Sequence, residues 1–297
     1  MTTPPAADPG TVLRDATAAM RQGNLTGAAA LAAAAEARFR ARGDADGRMR
    51  AENLLGAVAW ETGQVGEAER YFGTALELAH ALDDSLMTAR ASNNLASVAH
   101  LTGRPDLALS LYRTALLSYQ RLGDRRGMAE TSHNLGIAFR QLSQWTDAER
   151  AAEEAVRHAE QLGDDALRGL ALVGLAELHL ELKGWPLAER EIERAAVLAA
   201  EGNDPVGVAE ARRLRAVLHL GLGHAVAALD EALGARKAAQ DLGTALLEAE
   251  CTTVAARAAR AAGQRDLGES LRAEAEAALT RLGAAGLLDR FRNEWGA

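Results

Sequence analysis

One cysteine, six prolines and an aromatic content of only 4% set the first limits on this 297-residue chain. With Cys251 alone, no intrachain disulfide can form and the count argues against a thiolate metal cluster, so the fold is expected to rest on packing. Cys251 lies inside a helical pattern, where a free cysteine acts as a small buried apolar group. Three of the prolines, Pro4, Pro5 and Pro9, fall in the first ten residues, so the rest of the chain is nearly free of helix breakers. No run approaches the ~20 apolar residues of a membrane-spanning helix. Met1–Gly10 holds neither a basic residue nor an apolar core, which argues against a secretory signal and for a disordered tail over residues 1–8. A cytoplasmic location with no membrane partner is expected. Basic charge is also short: the formal net charge is −8, against non-specific nucleic-acid binding, which depends on neutralising phosphates.

Catalytic motifs are missing as well. There is no Gly-x4-Gly-Lys-Ser/Thr phosphate loop, no Gly-x-Ser-x-Gly elbow and no His-Glu-x-x-His. Gly221-Leu222-Gly223 begins like a nucleotide loop but falls in a turn between helices, with no strand before it. His179 and His219 share a position in neighbouring repeats, yet no cysteine or carboxylate set with zinc spacing accompanies them; they read as polar residues at the edge of the core. No enzyme activity, metal or cofactor is expected.

What the chain does have is alanine and glycine on a 40-residue clock. Ala16, Gly56, Ala96, Gly136, Ala176, Ala216 and Ala256 form one column. Ala28, Ala68, Ala108, Ala148, Ala188, Ala228 and Gly268 form a second, and Ala35, Ala75, Ala115, Ala155, Ala195, Ala235 and Ala275 a third. A domain with one central core has no use for such a register. A stack of similar helix pairs does, because helices approach closely only where side chains are small. Each unit reads as helix A, a tight turn, helix B and a second turn. In one unit helix A runs over about Met87–Leu101, Gly103 breaks it, and Pro105 opens helix B, where a missing N–H costs nothing. Leu107, Leu111, Ala115 and Leu122 follow at helical spacing. Gly23, Gly63, Gly103, Gly223 and Gly263 mark A–B turns, with Ser143 and Lys183 in the other two slots and Gly184 one residue later. Gly43, Gly123, Gly163, Gly243 and Gly283 end B helices, and Asp44, Asp84, Asp124, Asp164 and Asp204 stand ready to cap the helices that follow.

These signals predict an all-α, right-handed α-solenoid of about seven helix-turn-helix repeats over residues 9–283. The units fall at about 9–48, 49–88, 89–128, 129–168, 169–208, 209–248 and 249–283. Residues 284–297 then form a C-terminal capping helix, with Leu287, Leu288, Phe291 and Trp295 on one face. That face either covers the exposed core of the last repeat, as solenoids require, or docks a partner. Trp145 and Trp185 share a place at the start of helix B and are expected to pack between units.

Leu95-Ala96 and Leu135-Gly136 in helix A, with Ala68–Phe72 and Ala108–Tyr112 in helix B, resemble the signature of the tetratricopeptide repeat. The usual unit has 34 residues and this one has 40; the helix A tryptophan and the proline that ends helix B are absent. The stretch Leu122–Leu142 (LGDRRGMAETSHNLGIAFRQL) is similar to the long-repeat subgroup, which includes kinesin light chains, Pins-type adaptors, Rap-type regulators and sensor regions of bacterial transcription activators. The resemblance implies binding through a concave face lined by A helices, with asparagines on successive A helices holding a peptide.

On that face Asn53, Asn93, Asn94, His133 and Asn134 occupy matching positions on three successive A helices. Arg50 and Arg90 lie three residues before Asn53 and Asn93, and Ser97, Arg140 and Gln141 extend the polar surface. An asparagine amide has donors and an acceptor and can pair with any peptide backbone. The arginines would favour acidic side chains or a terminal carboxylate. The competing reading is that the amides bond to one another within the stack and the arginines pair with nearby carboxylates. After Leu167 the matching slots change to Val173, Gly174, Glu177 and Glu181, then Arg213, Leu214 and Val217.

The function expected is therefore a non-enzymatic scaffold or adaptor that holds another protein or peptide, of acidic character, in its groove. One alternative is a peptide-sensing module whose output lies on a separate chain, since repeats begin near residue 9 and leave no room for an effector module. The other is a structural subunit that self-associates through the C-terminal helix.

Overall fold

The computed structural model describes residues 8–296. The expected tail lies outside the described residues except for Asp8, which caps the first helix by accepting a hydrogen bond from the Thr11 amide. Fifteen helices and no strand occur among the described residues. They are α1 (Pro9–Arg21), α2 (Leu25–Arg42), α3 (Ala45–Glu61), α4 (Val65–Ala81), α5 (Ser85–Leu101), α6 (Pro105–Leu122), α7 (Arg125–Gln141) and α8 (Trp145–Leu162). There follow α9 (Asp165–Glu181), α10 (Trp185–Glu201), α11 (Pro205–Gly221), α12 (Ala225–Leu242), α13 (Ala245–Ala261), α14 (Arg265–Arg281) and α15 (Ala285–Gly296). The first fourteen make seven A–B pairs, as the spacing predicts.

The pairs repeat because their ends do. Asp44, Asp84, Asp124, Asp164 and Asp204 each accept a hydrogen bond from a backbone N–H in the first turn of the A helix that follows, at 2.9–3.1 Å. Each cap satisfies donors that the first turn would otherwise leave unpaired. The turns keep a 20-residue rhythm of left-handed residues, from Gly23 to Gly283. Glycine fills ten of these slots; Asp83, Ser143, Lys183 and Asn203 fill four with positive φ. At the turn before α10 Lys183, not the neighbouring Gly184, takes the left-handed conformation, so the register of the turn prevails over residue preference.

By contacts the described chain divides into two compact units, one of residues 8–98 with 110–122 and one of 99–109 with 123–296. In unit 1, α1 packs on α2, α2 on α3 and α3 on α4, and α1 also meets α3. In unit 2 each helix from α7 to α14 packs on the next, and α7, α9, α11 and α13 touch in succession. The A helices of unit 2 thus form one continuous layer. All three small-residue columns are buried: Ala16, Ala96, Ala176, Ala216 and Ala256 are closed to solvent, as are Ala28, Ala68, Ala188 and Ala228. A side chain at Gly56 would meet the Phe72 ring at 2.6 Å, and one at Gly136 would press on the Ala148 carbonyl at 3.4 Å. The first two columns are where helix A touches helix B of its own pair, as at Gly56, Gly136 and Gly268; the third also meets the A helix that follows, Ala35 clustering with Ala51 and Ala235 with Cys251. Cys251 is buried with Ala209, Ala235, Ala239 and Leu247, as a small apolar group.

Two outcomes follow from this packing. Ala216→Leu should lower stability by at least about 2 kcal/mol through overpacking at the α11–α12 contact, read from denaturant unfolding. Ser143→Gly and Lys183→Gly should each raise it by about 1 kcal/mol, because glycine carries no penalty at positive φ.

Candidate functional site

The polar row predicted from sequence divides between the two units. In unit 1, α3 supplies Arg50 and Asn53, and α5 supplies Arg90, Asn93, Asn94 and Ser97. The asparagines are half-buried and the two arginines exposed. Asn94 Nδ2 donates to Asn53 Oδ1 across a long 3.4 Å, which ties two successive A helices through their amides. Ser97 Oγ lies 3.0 Å from the Tyr112 hydroxyl and so joins α5 to α6. Arg50 donates to Asp46 one turn back, an exposed pair of small energetic weight. Scaffold bonding is therefore present in this row, at Asn53, Asn94 and Ser97.

In unit 2, α7 supplies His133, Asn134, Arg140 and Gln141. His133 is buried over Gly174 of α9, where an added Cβ would lie 2.7 Å from Nδ1. Burial lowers its pKa to about 4, so it is neutral at pH 7; Glu177 opposes that shift and Arg140 adds to it. Arg140 is only 6% exposed and anchors a chain of charges. Its Nη2 lies 2.7 Å from Glu177, and its Nε 3.3 Å from Glu181. Glu177 also accepts from Arg213 Nη2 at 2.5 Å, and Arg213 donates in turn to Glu210 on its own helix. Burial would raise the Glu177 pKa, but the two guanidiniums outweigh it and hold the carboxyl well below the usual range. Glu250, on α13, is pushed up to about 7 by burial, Arg213 opposing and Glu210 and Glu177 adding.

This network was not assembled from the sequence, although its signal was there. Arg213 stands at the repeat position of Asn53, Asn93 and His133, and Glu250 at that of Arg50 and Arg90. The row does not end after Leu167; it changes from amides to paired charges. His179 also takes a partner that the sequence did not reveal: its Nδ1 lies 2.6 Å from the buried Glu191 of α10. Trp185 lies on Gly221 of the next repeat, as expected of a residue between units, whereas Trp145 is 37% exposed.

The charged network faces a cavity of about 620 Å³ inside unit 2. Four A helices line it through residues such as Arg140, Glu181, Leu214 and Val254, and α15 lines the other side through Leu287, Arg290, Phe291 and Glu294. Phe291 and Trp295 of α15 are buried against Val254, Ala258, Leu271 and Ala275, so the helix does cap the last repeat. Arg260 donates to the Trp295 carbonyl and sits over its ring. Among the described residues no group of three or more His, Cys, Asp or Glu is placed to hold a metal. No described helix is long and apolar enough to cross a membrane.

The arrangement offers buried paired charges and half-buried amides. Two measurements test its energetics. Glu177→Gln leaves Arg140 and Arg213 without their shared counter-charge and should cost about 3 kcal/mol in unfolding free energy. His133 has a folded-state pKa below its ordinary 6.5, so the unfolded chain takes up the proton first. Its contribution is present above about pH 6.5 and lost as pH falls toward 4. From pH 7 to 5 the wild type should lose about 2 kcal/mol more than His133→Asn, measured by urea unfolding at both pH values.

Residues 87–161 match the family model of the tetratricopeptide repeat. No curated protein matches the chain in sequence. Among solved structures, a Rap protein complexed with competence and sporulation factor superposes with a TM-score of 0.79 at 15% identity, covering 94% of this chain and 76% of the other. Aspartyl phosphate phosphatase F from Bacillus subtilis gives 0.62 at 14% identity, covering 98% and 96%. A tetratricopeptide repeat protein from Parabacteroides merdae gives 0.59 at 17%, covering 94% and 99%. At such identities the likeness is one of fold. Residues 87–161 thus carry tetratricopeptide repeats, and the seven helix pairs in register share the fold of these solved structures.

Proposed function

We propose that the protein is a non-enzymatic scaffold that binds a peptide segment of a partner along the layer of its A helices. The observation that carries this reading is the row of half-buried amides on successive A helices. Asn53 and Asn94 hold each other by a single long hydrogen bond, and each amide has more donor and acceptor sites than that bond uses. Such a pair is oriented in advance for a peptide backbone, so little side-chain entropy remains to be lost on binding. The exposed Arg50 and Arg90 beside it favour a segment with acidic side chains or a terminal carboxylate. The fold supports the reading: a Rap protein of similar fold was solved in complex with competence and sporulation factor.

A sensor in which the bound peptide alters a regulator on another chain uses the same contacts. Self-association through the apolar face of α15 has less support, because Phe291 and Trp295 are already buried within their own chain.

The test compares the wild type with Asn93→Ala/Asn94→Ala in affinity capture from the native cell, followed by titration with the captured partner. The variant should keep its helicity by circular dichroism and lose at least about tenfold in affinity, on the scale of two lost hydrogen bonds. Unchanged affinity would move the binding surface away from unit 1.

A further inference from the structure

The C-terminal helix stands in register as helix A of an eighth repeat, since Ala285 follows Ala245 by 40 residues. It does not stack as one. The repeat position of Phe291 is held elsewhere by Ala51, Ala91, Thr131, Ala171, Ala211 and Cys251, all small. A phenylalanine cannot take a seat shaped for alanine at a close helix approach. A regular repeat touches only its neighbours. Beyond its neighbours α13 and α14, α15 reaches across unit 2. Gly286 lies against the backbone of Gly103 and near the Gln141 amide, with an added Cβ meeting them at 3.1 and 3.2 Å. Arg290 pairs with Glu181 of α9 at 3.6 Å, and Glu294 with Arg257 of α13 at 2.6 Å.

We propose that the inner face of unit 2 is a helix-docking groove with α15 as its resident occupant, exchanged for a partner helix of the same chemistry. The seated helix shows what fits. It presents two aromatics four residues apart, a basic residue just before the first to meet Glu181 and an acidic residue just before the second to meet Arg257. This is the amphipathic helix-in-groove mode of recognition. The partner is thus an amphipathic segment with an aromatic pair at i and i+4 and that order of charges.

The resident helix fits its groove imperfectly, which is what makes exchange possible. Beside it, Arg140 Nη1 is buried with no hydrogen-bond partner. That orphaned donor offsets part of what the apolar contacts contribute. The connection from α14 turns at the left-handed Gly283, as at the other turns, so α14 ends independently of where α15 lies. This inference rests on the A-helix layer being a binding surface, and it assigns that surface a regulator in unit 2.

Two measurements on the full chain test it. In hydrogen exchange, amides of α15 should exchange at least about tenfold faster than those of α13 and α14, which stay protected. Exchange of all three helices together would overturn the proposal, since α15 would then be an integral part of the last repeat. In fluorescence anisotropy the probe is a labelled synthetic peptide of residues 285–296. Arg290→Glu, which repels Glu181, should bind it at least about tenfold more tightly than the wild type, whose groove is occupied. Equal binding by wild type and Arg290→Glu would overturn the proposal. A dimer of Arg290→Glu in sedimentation would make a second copy the occupant and overturn the assignment of a partner helix. None of these readouts depends on Asn93 or Asn94, so failure here and failure of the unit 1 reading are distinguishable.

Discussion

Helix pairs in this chain come together only as closely as alanine and glycine allow, and the remaining features depend on that approach. Three columns of small residues recur every 40 positions and lie buried where helix A meets helix B. With so few aromatics, stability rests on many short-range contacts between close backbones and not on a few large side chains. Close pairing also fixes rotation: once the small face of each A helix is turned to its B partner, the opposite face is turned away. Polar residues on that second face fall into line from repeat to repeat without any further instruction.

The two units use that line differently. In unit 1 it carries half-buried amides, two of them joined across a long 3.4 Å, and exposed arginines. In unit 2 the same positions carry a ladder from Glu210 through Arg213, Glu177 and Arg140 to Glu181, where Arg290 of α15 joins it. Buried charges of this kind are costly to unpair, so the ladder holds the A helices in fixed relation. Its last link is the longest, at 3.6 Å, and it belongs to α15.

Much of the site was legible and part was not, for physical reasons. The periodic row led directly to Asn53, Asn94 and Ser97, and the structure shows these three bonded within the scaffold. Arg140 looked like a ligand contact, but Glu177 and Glu181 lie 37 and 41 residues further on, one repeat away. Column comparison at a spacing of 40 aligns like positions; it does not show that a residue one helical turn earlier in the next repeat faces its neighbour. His133 was read as a groove residue because it replaces an asparagine, yet Gly174 lets its ring sink between α7 and α9. A glycine opposite a histidine is a packing relation that no periodicity along one helix contains.

By itself the sequence determined the all-α class, seven helix pairs, their caps, their turns and the small faces that join them. All of these are short-range properties, set within about one helical turn or by repetition at a constant interval. Only the tertiary structure decided which charges meet, that the chain divides into two units and where α15 comes to rest. That helix carries the register of another repeat but the bulk of Phe291 and Trp295. Whether it stacks or folds back depends on the shape of a surface built from α7, α9, α11 and α13 together. Sequence order fixes neighbours along the chain, whereas a seat made by four separate helices exists only after they have packed.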